Sequence, residues 1–440
     1  MLPPQRLDRL ATQFDDDHII AHAGLIQPAT LAQRLGLRGL FDEYVRLGKA
    51  LGHAHVGHKA MTLIHSALAG GDCIDDAAML RAGRTEAVLG HDLRAPSTLG
   101  TFLRSFTWGH VRQLDRVAGE ALGRAWRAGA GPGEEAVTID VDSTICKTYG
   151  LAKQGGKFGY SGVRGYHPLL ASIAGSDEVV HSRLRGGNAN SGRGAARFIA
   201  ETVRRVRNAG ATGPLTLRAD SGFYNRAVVD TCRRYRVCFS ITVRLQPSLH
   251  RAIEAIPEGK WTPIPYWQDG GADVAEIAYA PFGQEGEVRL IVRRVRPTPG
   301  TQLALFTNYS YHAFITDREG ELLGLEADHR RHAEVENVIR DLKYGVGLNH
   351  LPSGRFAANG AWLVLNVIAH NLARWVERIG LGPETRLTTR TLRRRLLCLP
   401  GRLTRSARKW TLHLPRDWPW ASAFLAILRR LHALPPPLAA

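Results

Sequence analysis

Three acidic residues in this 440-residue chain stand where carboxylates do metal-assisted chemistry. TIDVDST (138–144) and LRADSGF (217–223) are alternating runs that end on Asp142 and Asp220, and HRRHAEVENVIRDLKYG (329–345) carries Glu336 at its centre. Hard divalent cations such as Mg²⁺ take oxygen ligands and bind through a few carboxylates plus substrate phosphate. Two such ions about 3.5–4 Å apart activate an attacking oxygen and stabilise a leaving one. That is phosphodiester chemistry. Each acid also has a plainer reading. A strand-end Asp often caps a turn, and Glu336 has Arg340 at i,i+4 for an ion pair. Asp140 competes with Asp142, since both face the polar side of their run, but Asp140 lies one pleat deeper, where a structural role is expected.

The elements that must position these residues follow from periodicity. In AVTIDVDST, Val137, Ile139 and Val141 share one face, and Thr138, Asp140 and Asp142 the other, the mark of a strand. Further strands are expected over 167–175, 178–185, 214–220 and 237–243, with helices over 194–209 and 225–235. Three strands, helix, strand, helix, strand is the order of a ribonuclease-H-like α/β core, with Asp142 and Asp220 at strand ends, where α/β sites gather. If 329–345 is one continuous helix, turning about 100° per residue, then His329, His332, Glu336, Arg340 and Lys343 form a polar stripe. Val335, Val338, Ile339 and Leu342 form the adjacent apolar one.

Before this core, residues 1–130 read as helical, with apolar residues at helical spacing in 30–48 and 98–126 and Ser97 as the expected N-cap of the latter. Thr30 to Leu40 is the best candidate for a helix-turn-helix. GAGPGEE (129–135) reads as a linker. Residues 131–244 hold the first part of the core. Residues 245–308, rich in Pro, Gly, Trp and short alternating runs, read as a β-rich insertion. A strand over 302–308 follows, then the remainder of the core over 309–385 and a basic region over 386–440.

Lys plus Arg total 58 against 40 Asp plus Glu, a net charge of +18. A surplus that large favours a polyanionic partner. The longest apolar run, 361–373, is too short to span a bilayer and is broken by Asn366, His370 and Asn371. The start of the chain carries acidic residues where a secretory signal needs an apolar run, so a cytoplasmic, nucleoid-associated protein is expected. The five cysteines form no CxxC pair, and read as small buried residues.

Taken together, DVDST (140–144), GYHPLLA (165–171), LRGGNANS (184–191), LRADSGF (217–223) and AEVENVIRDLK (333–343) resemble the DDE transposases of bacterial insertion sequences, with the closest likeness to insertion-sequence family 1380. The resemblance covers nearly the whole chain. It implies a ribonuclease-H-like core with a β-rich insertion between the second Asp and the Glu. It also implies a catalytic, metal-binding triad of Asp142, Asp220 and Glu336, and cut-and-paste transposition: water frees a 3′-OH at the element ends, and that hydroxyl attacks target DNA. Mg²⁺ or Mn²⁺ is the implied cofactor, two ions being expected. The implied partners are the element's terminal inverted repeats and target DNA, bound by a homodimer in the synaptic complex; no membrane is involved. One large group of these enzymes carries Tyr-x2-Arg-x3-Glu-x6-Lys. Glu336 and Lys343 match its second half, while His329 and His332 occupy the Tyr and Arg positions. The interval of 116 positions from Asp220 to Glu336 is too long for one helix and one strand and requires an inserted module.

Expected DNA contacts are Lys343, Arg340, His332 and His329 on the Glu336 helix, with Lys157 and Arg164 in the Gly-rich, basic loop KQGGKFGYSGVRG (153–165). That loop lacks P-loop spacing. His53, His55 and His58 have no Cys or acidic partner nearby, so surface or capping roles are expected. Trp261, Trp267, Tyr309 and Tyr311 could stack on an unpaired base or fill the core of the insertion. Two other readings stay open: a ribonuclease-H-fold nuclease that cleaves without joining, and a non-catalytic DNA-binding relic.

Overall fold

The structure is a computed structural model, and it describes residues 10–50, 52–267, 270–283, 286–297 and 309–436. Its centre is a nine-stranded mixed sheet. The strand order runs Thr262–Pro263, Ala272–Tyr279, Val288–Val295, Ser310–Thr316, Cys238–Thr242, Leu215–Ala219, Val137–Ser143, Leu169–Ile173, Val179–Arg183. The Val137–Ser143 strand is antiparallel to Leu169–Ile173 and parallel to Leu215–Ala219, which is parallel in turn to Cys238–Thr242. The helices Ala195–Ala209 and Arg226–Tyr235 make the crossovers that parallel pairing requires. This is the ribonuclease-H-like core expected from the element order.

The β-rich insertion does not form a separate sheet. Its antiparallel strands continue the central one, because Ser310–Thr316 pairs with Cys238–Thr242 and carries Val288–Val295 and Ala272–Tyr279 beyond it. The strand expected over 302–308 lies outside the described residues.

The helix Phe356–Leu381 passes through the core, and all but a few of its residues are buried. Its polar residues explain why an apolar run is interrupted. Asn371 accepts from Val179 N at 2.9 Å and donates to Val179 O at 2.9 Å, standing in for a missing neighbour on the edge strand. His370 Nε2 lies 2.9 Å from Asp177 O. Among the described residues no helix is long and apolar enough to cross a membrane.

The helices Val56–Ala69, Pro96–Arg104 and Trp108–Ala125 pack on this long helix, and their apolar residues belong to the same continuous core as the sheet. The run read as one helix over 98–126 is two. Ser97 sits inside the first turn of Pro96–Arg104, and Thr107 caps the second helix, accepting from His110 N. The helix-turn-helix candidate becomes the short helices Ile26–Arg34 and Leu37–Tyr44, joined at Gly36 with φ +61°. The second exposes Arg38, Asp42 and Glu43, a net negative face poorly suited to phosphate-lined grooves. The basic region returns to the start of the chain: Gly401–Ser406 pairs with Ile19–Ile20, and Ala421–Ala433 packs on Phe356–Leu381.

Candidate active site

Asp142 and Asp220 come together through strand pairing. Val141 is the register partner of Ala219 in adjacent parallel strands, so the next residue on each, Asp142 and Asp220, emerges at the same level. Asp142 Oδ1 accepts from Ser143 N at 2.6 Å. Asp220 Oδ1 accepts from Gly222 N at 2.9 Å, capping a single 3₁₀ turn over Ser221–Phe223. The capping role expected of a strand-end Asp is therefore present at Asp220, but it uses one oxygen.

Glu336 arrives on the helix Val335–Gly345, which packs against the Val137–Ser143 strand through buried Val335, Val338 and Leu342. The side chain is exposed. Its expected ion pair with Arg340 is not made: Arg340 donates to Asn337 Oδ1 at 2.7 Å. Lys343, two turns beyond Glu336, donates to Ile145 O at 2.9 Å and ties this helix to the loop that follows Asp142.

The charges of Asp220 and Glu336 both act on Asp142. Burial pushes the Asp142 carboxyl up to about 6. The Ser143 N–H and the His332 ring oppose that rise, and the charges of Asp220 and Glu336 add to it. Among the described residues none of the three acids has a cationic ion-pair partner, although Asp140, Asp115, Glu201 and Asp273 do. A cluster of carboxylates left without a cation on a chain of +18 fits hard divalent ions. The three do not all bring a ligand atom within 4.8 Å of one another.

Asp140 is spent on structure. Arg218, its register partner, grips it with two bonds of 2.8 Å, and His332 Nδ1 lies 2.9 Å from Oδ1. Arg218 continues to Asp328, which also pairs with Arg318. This chain of ion pairs, buried at Asp140 and Arg218, anchors the segment before Glu336 to the two Asp strands. The signal for it was present in the sequence: Asp140 and Arg218 each lie two residues before a catalytic candidate, on the same polar face.

Two histidines leave the expected DNA-facing stripe. The segment 329–345 is not one helix: Leu322–Arg330 is followed by a 3₁₀ turn, Arg331–Glu334, and then Val335–Gly345. A 3₁₀ turn winds about 120° per residue against 100°, so four residues displace the stripe by roughly 80°. His329 is thereby turned inward, its ring flat on Phe314 at 3.9 Å and its nitrogens 2.7 Å from Ser240 Oγ and 3.0 Å from Thr242 Oγ1. Both of its ring nitrogens are engaged within the protein. His332 is mostly buried against Asp140.

The loop 144–166 folds into a small three-stranded sheet, Cys146–Lys147, Arg164–Tyr166 and Lys157–Phe158, here called the flap. Lys157 is exposed on it. Arg164 instead donates to Gly150 O and Leu151 O, shaping the flap from within. The insertion aromatics are packed: Trp261 and Tyr309 sandwich Arg294 at 4.3 and 4.6 Å, Tyr311 joins the main core and Trp267 a smaller one. His55 is the N-cap residue of Val56–Ala69, and His58 Nδ1 accepts from Asp92 N at 3.0 Å. The triple that does bring ligand atoms together among the described residues is Asp72, Cys73 and Asp76, where Asp76 caps the turn by accepting from both backbone N–H groups.

With this geometry in place, residues 2–436 match the family model described as transposase DDE domain, group 1. The chain belongs to the DDE transposases. No curated protein matches it in sequence. Among solved structures it is similar to a piggyBac transposase synaptic complex with hairpin DNA, at 10% identity and a TM-score of 0.45, covering 86% of this chain and 79% of that one. Membership of this transposase family makes the chain an enzyme of transposition and DNA recombination, a class that uses divalent metal ions.

Proposed function

We propose that the chain catalyses cut-and-paste transposition of an insertion sequence, one resembling insertion-sequence family 1380, with Asp142, Asp220 and Glu336 holding two Mg²⁺ or Mn²⁺ ions. The observation that supports this most is the set of three carboxylates, in the order Asp, Asp, Glu, that act on one another yet have no cationic partner among the described residues of a +18 chain. When bound, the ions supply activation of the attacking oxygen and stabilisation of the leaving one. The first attack, by water, breaks the phosphodiester at an element end and leaves a 3′-OH. In the second, that oxygen bonds to a target phosphorus as the target's own 3′-oxygen departs. The chain's part is to bind and orient. Exposed Arg340 and Lys157 meet the phosphate backbone, and Lys343 fixes the Glu336 helix to the Asp142 loop. The partners are terminal inverted repeats and target DNA, held by a homodimer in the synaptic complex.

A joining assay tests this, using DNA that carries the inverted repeats flanking the gene, with Mg²⁺ present. Wild type should give strand-transfer products. Asp142→Asn, Asp220→Asn and Glu336→Gln should each lose at least about 10³-fold, the several kcal/mol that a lost metal site removes. Hydrolysis without joining would favour a nuclease. Full activity in all three variants would rule out the triad.

A further inference from the structure

The flap carries a cluster of apolar side chains that the fold does not use. Tyr149 is 76% exposed, Leu151 87%, Phe158 65% and Tyr160 83%. Other exposed aromatics, such as Trp108, Tyr266, Tyr344 and Trp410, lie far apart in the sequence, whereas the flap carries three between Tyr149 and Tyr160. The flap itself is held firmly. Lys153 donates to Leu351 O, Gln154 N to Gly354 O, and Tyr166 OH both donates to Gln154 O at 2.7 Å and accepts from Asn359. A Cβ on Gly187 would fall 2.2 Å from Gly165 O and Lys157 O, which shows how closely the 186–190 loop supports it. The exposed rings therefore stand on a fixed base.

Their position is specific. The flap begins directly after the Asp142 strand, and its root accepts Lys343 from the Glu336 helix. The Tyr160 ring lies 6.0 Å from the His167 ring, and the negative charge of Asp220 reaches that histidine. From Ile145 to Arg164 the sequence has four cations and no acidic residue. Lys147 Nζ lies over the Tyr149 ring at 5.3 Å, so cation and ring are presented together.

We infer that the flap is a stacking platform for unpaired nucleotides next to the scissile phosphate, with Tyr149, Phe158 and Tyr160 receiving bases and Lys147 and Lys157 the backbone. Rings interleaved with cations are the general solution for single-stranded nucleic acid, because every base has a π-face. An apolar protein partner would explain the rings but not a uniformly basic surround. This inference deepens the proposed function by assigning the place where strands separate at the site, and it rests on that reading for the identity of the DNA.

Binding in EDTA separates the two, since no cleavage can then occur. The full chain is titrated by fluorescence anisotropy with labelled oligo(dT) and with a blunt duplex of equal length. Tyr149→Ala, Phe158→Ala and Tyr160→Ala should each weaken oligo(dT) binding by about 5- to 150-fold and leave duplex binding within about twofold. Tyr160→Phe, which keeps the ring, should bind as wild type and controls for folding. Unchanged oligo(dT) affinity, or equal losses on both probes, would overturn the platform. So would variants that bind normally but lose a dimer seen by sedimentation without DNA, because the rings would then face a second copy. Oligo(dT) binding that depends on the rings in a protein that makes no cleavage with Mg²⁺ would uphold the platform and remove the catalytic reading instead.

Discussion

At the scale of single residues, the site depends on which titratable groups are compensated and which are not. His329 illustrates the compensated kind. Burial, and then the nearby His332, Arg218, Arg293 and Arg318, hold its ring well below the usual histidine range. The native state thus binds fewer protons than the unfolded chain once pH falls below about 6.5. Its contribution to stability is complete above that pH and is lost on acidification, by about 1.4 kcal/mol at pH 5.5. His329→Gln cannot titrate. Its destabilisation relative to wild type should therefore be largest at pH 8 and smaller by about that amount at pH 5.5, read from urea midpoints at the two pH values. A difference that does not change with pH would show that the ring is not held neutral. The choice of Asp142 over Asp140 was legible from the alternating pattern, since only Asp142 reaches the strand end. The structural role of Asp140 was legible from the same pattern, but its other partner, His332, comes from a segment 192 positions away that no local pattern places beside it.

At the scale of elements, periodicity found what is locally determined. Every core strand between 137 and 243 and both crossover helices were legible, since alternation and helical spacing act within one segment. The break at Arg331–Glu334 carries neither Pro nor Gly; it is imposed by His332 reaching Asp140, a contact 192 positions away. Likewise, nothing local says that the insertion's strands extend the central sheet, because an edge strand pairs with whatever edge is offered. The flap is the element whose placement is most sharply constrained. Gly187→Ala must push Gly165 and Lys157 backbone aside, an overpacking cost of about 1–3 kcal/mol. We expect a lower melting temperature and faster trypsin cleavage after Lys157. Gly354→Ala, with open space around the new methyl, should behave as wild type in both measurements. Equal resistance of the two variants would mean that the 186–190 loop does not hold the flap.

At the scale of the molecule, the arrangement of the core decides how many units melt. The sequence marks a break at 129–135, and Gly129 does turn the chain there with φ +103°. Yet the apolar faces on either side of that break meet. Val111 lies against Gly360 of the long helix, and Trp126 donates to buried Glu178 at 3.1 Å, which also accepts from Trp375 at 2.5 Å. The far end of the chain closes the same core, where Ile427 packs on Gly380 so tightly that a Cβ would fall 2.7 Å from it. A helix surrounded on all sides cannot keep its fold when one side is removed, since the exposed apolar stripe would be large enough to drive association. The full chain should therefore unfold in one calorimetric transition with equal calorimetric and van't Hoff enthalpies. A fragment of residues 131–440 should show no cooperative melt and should aggregate. Two resolved transitions in the full chain, or a soluble fragment with its own sharp melt, would instead establish the N-terminal helices as an independent unit. In that case they could move relative to the triad when DNA binds.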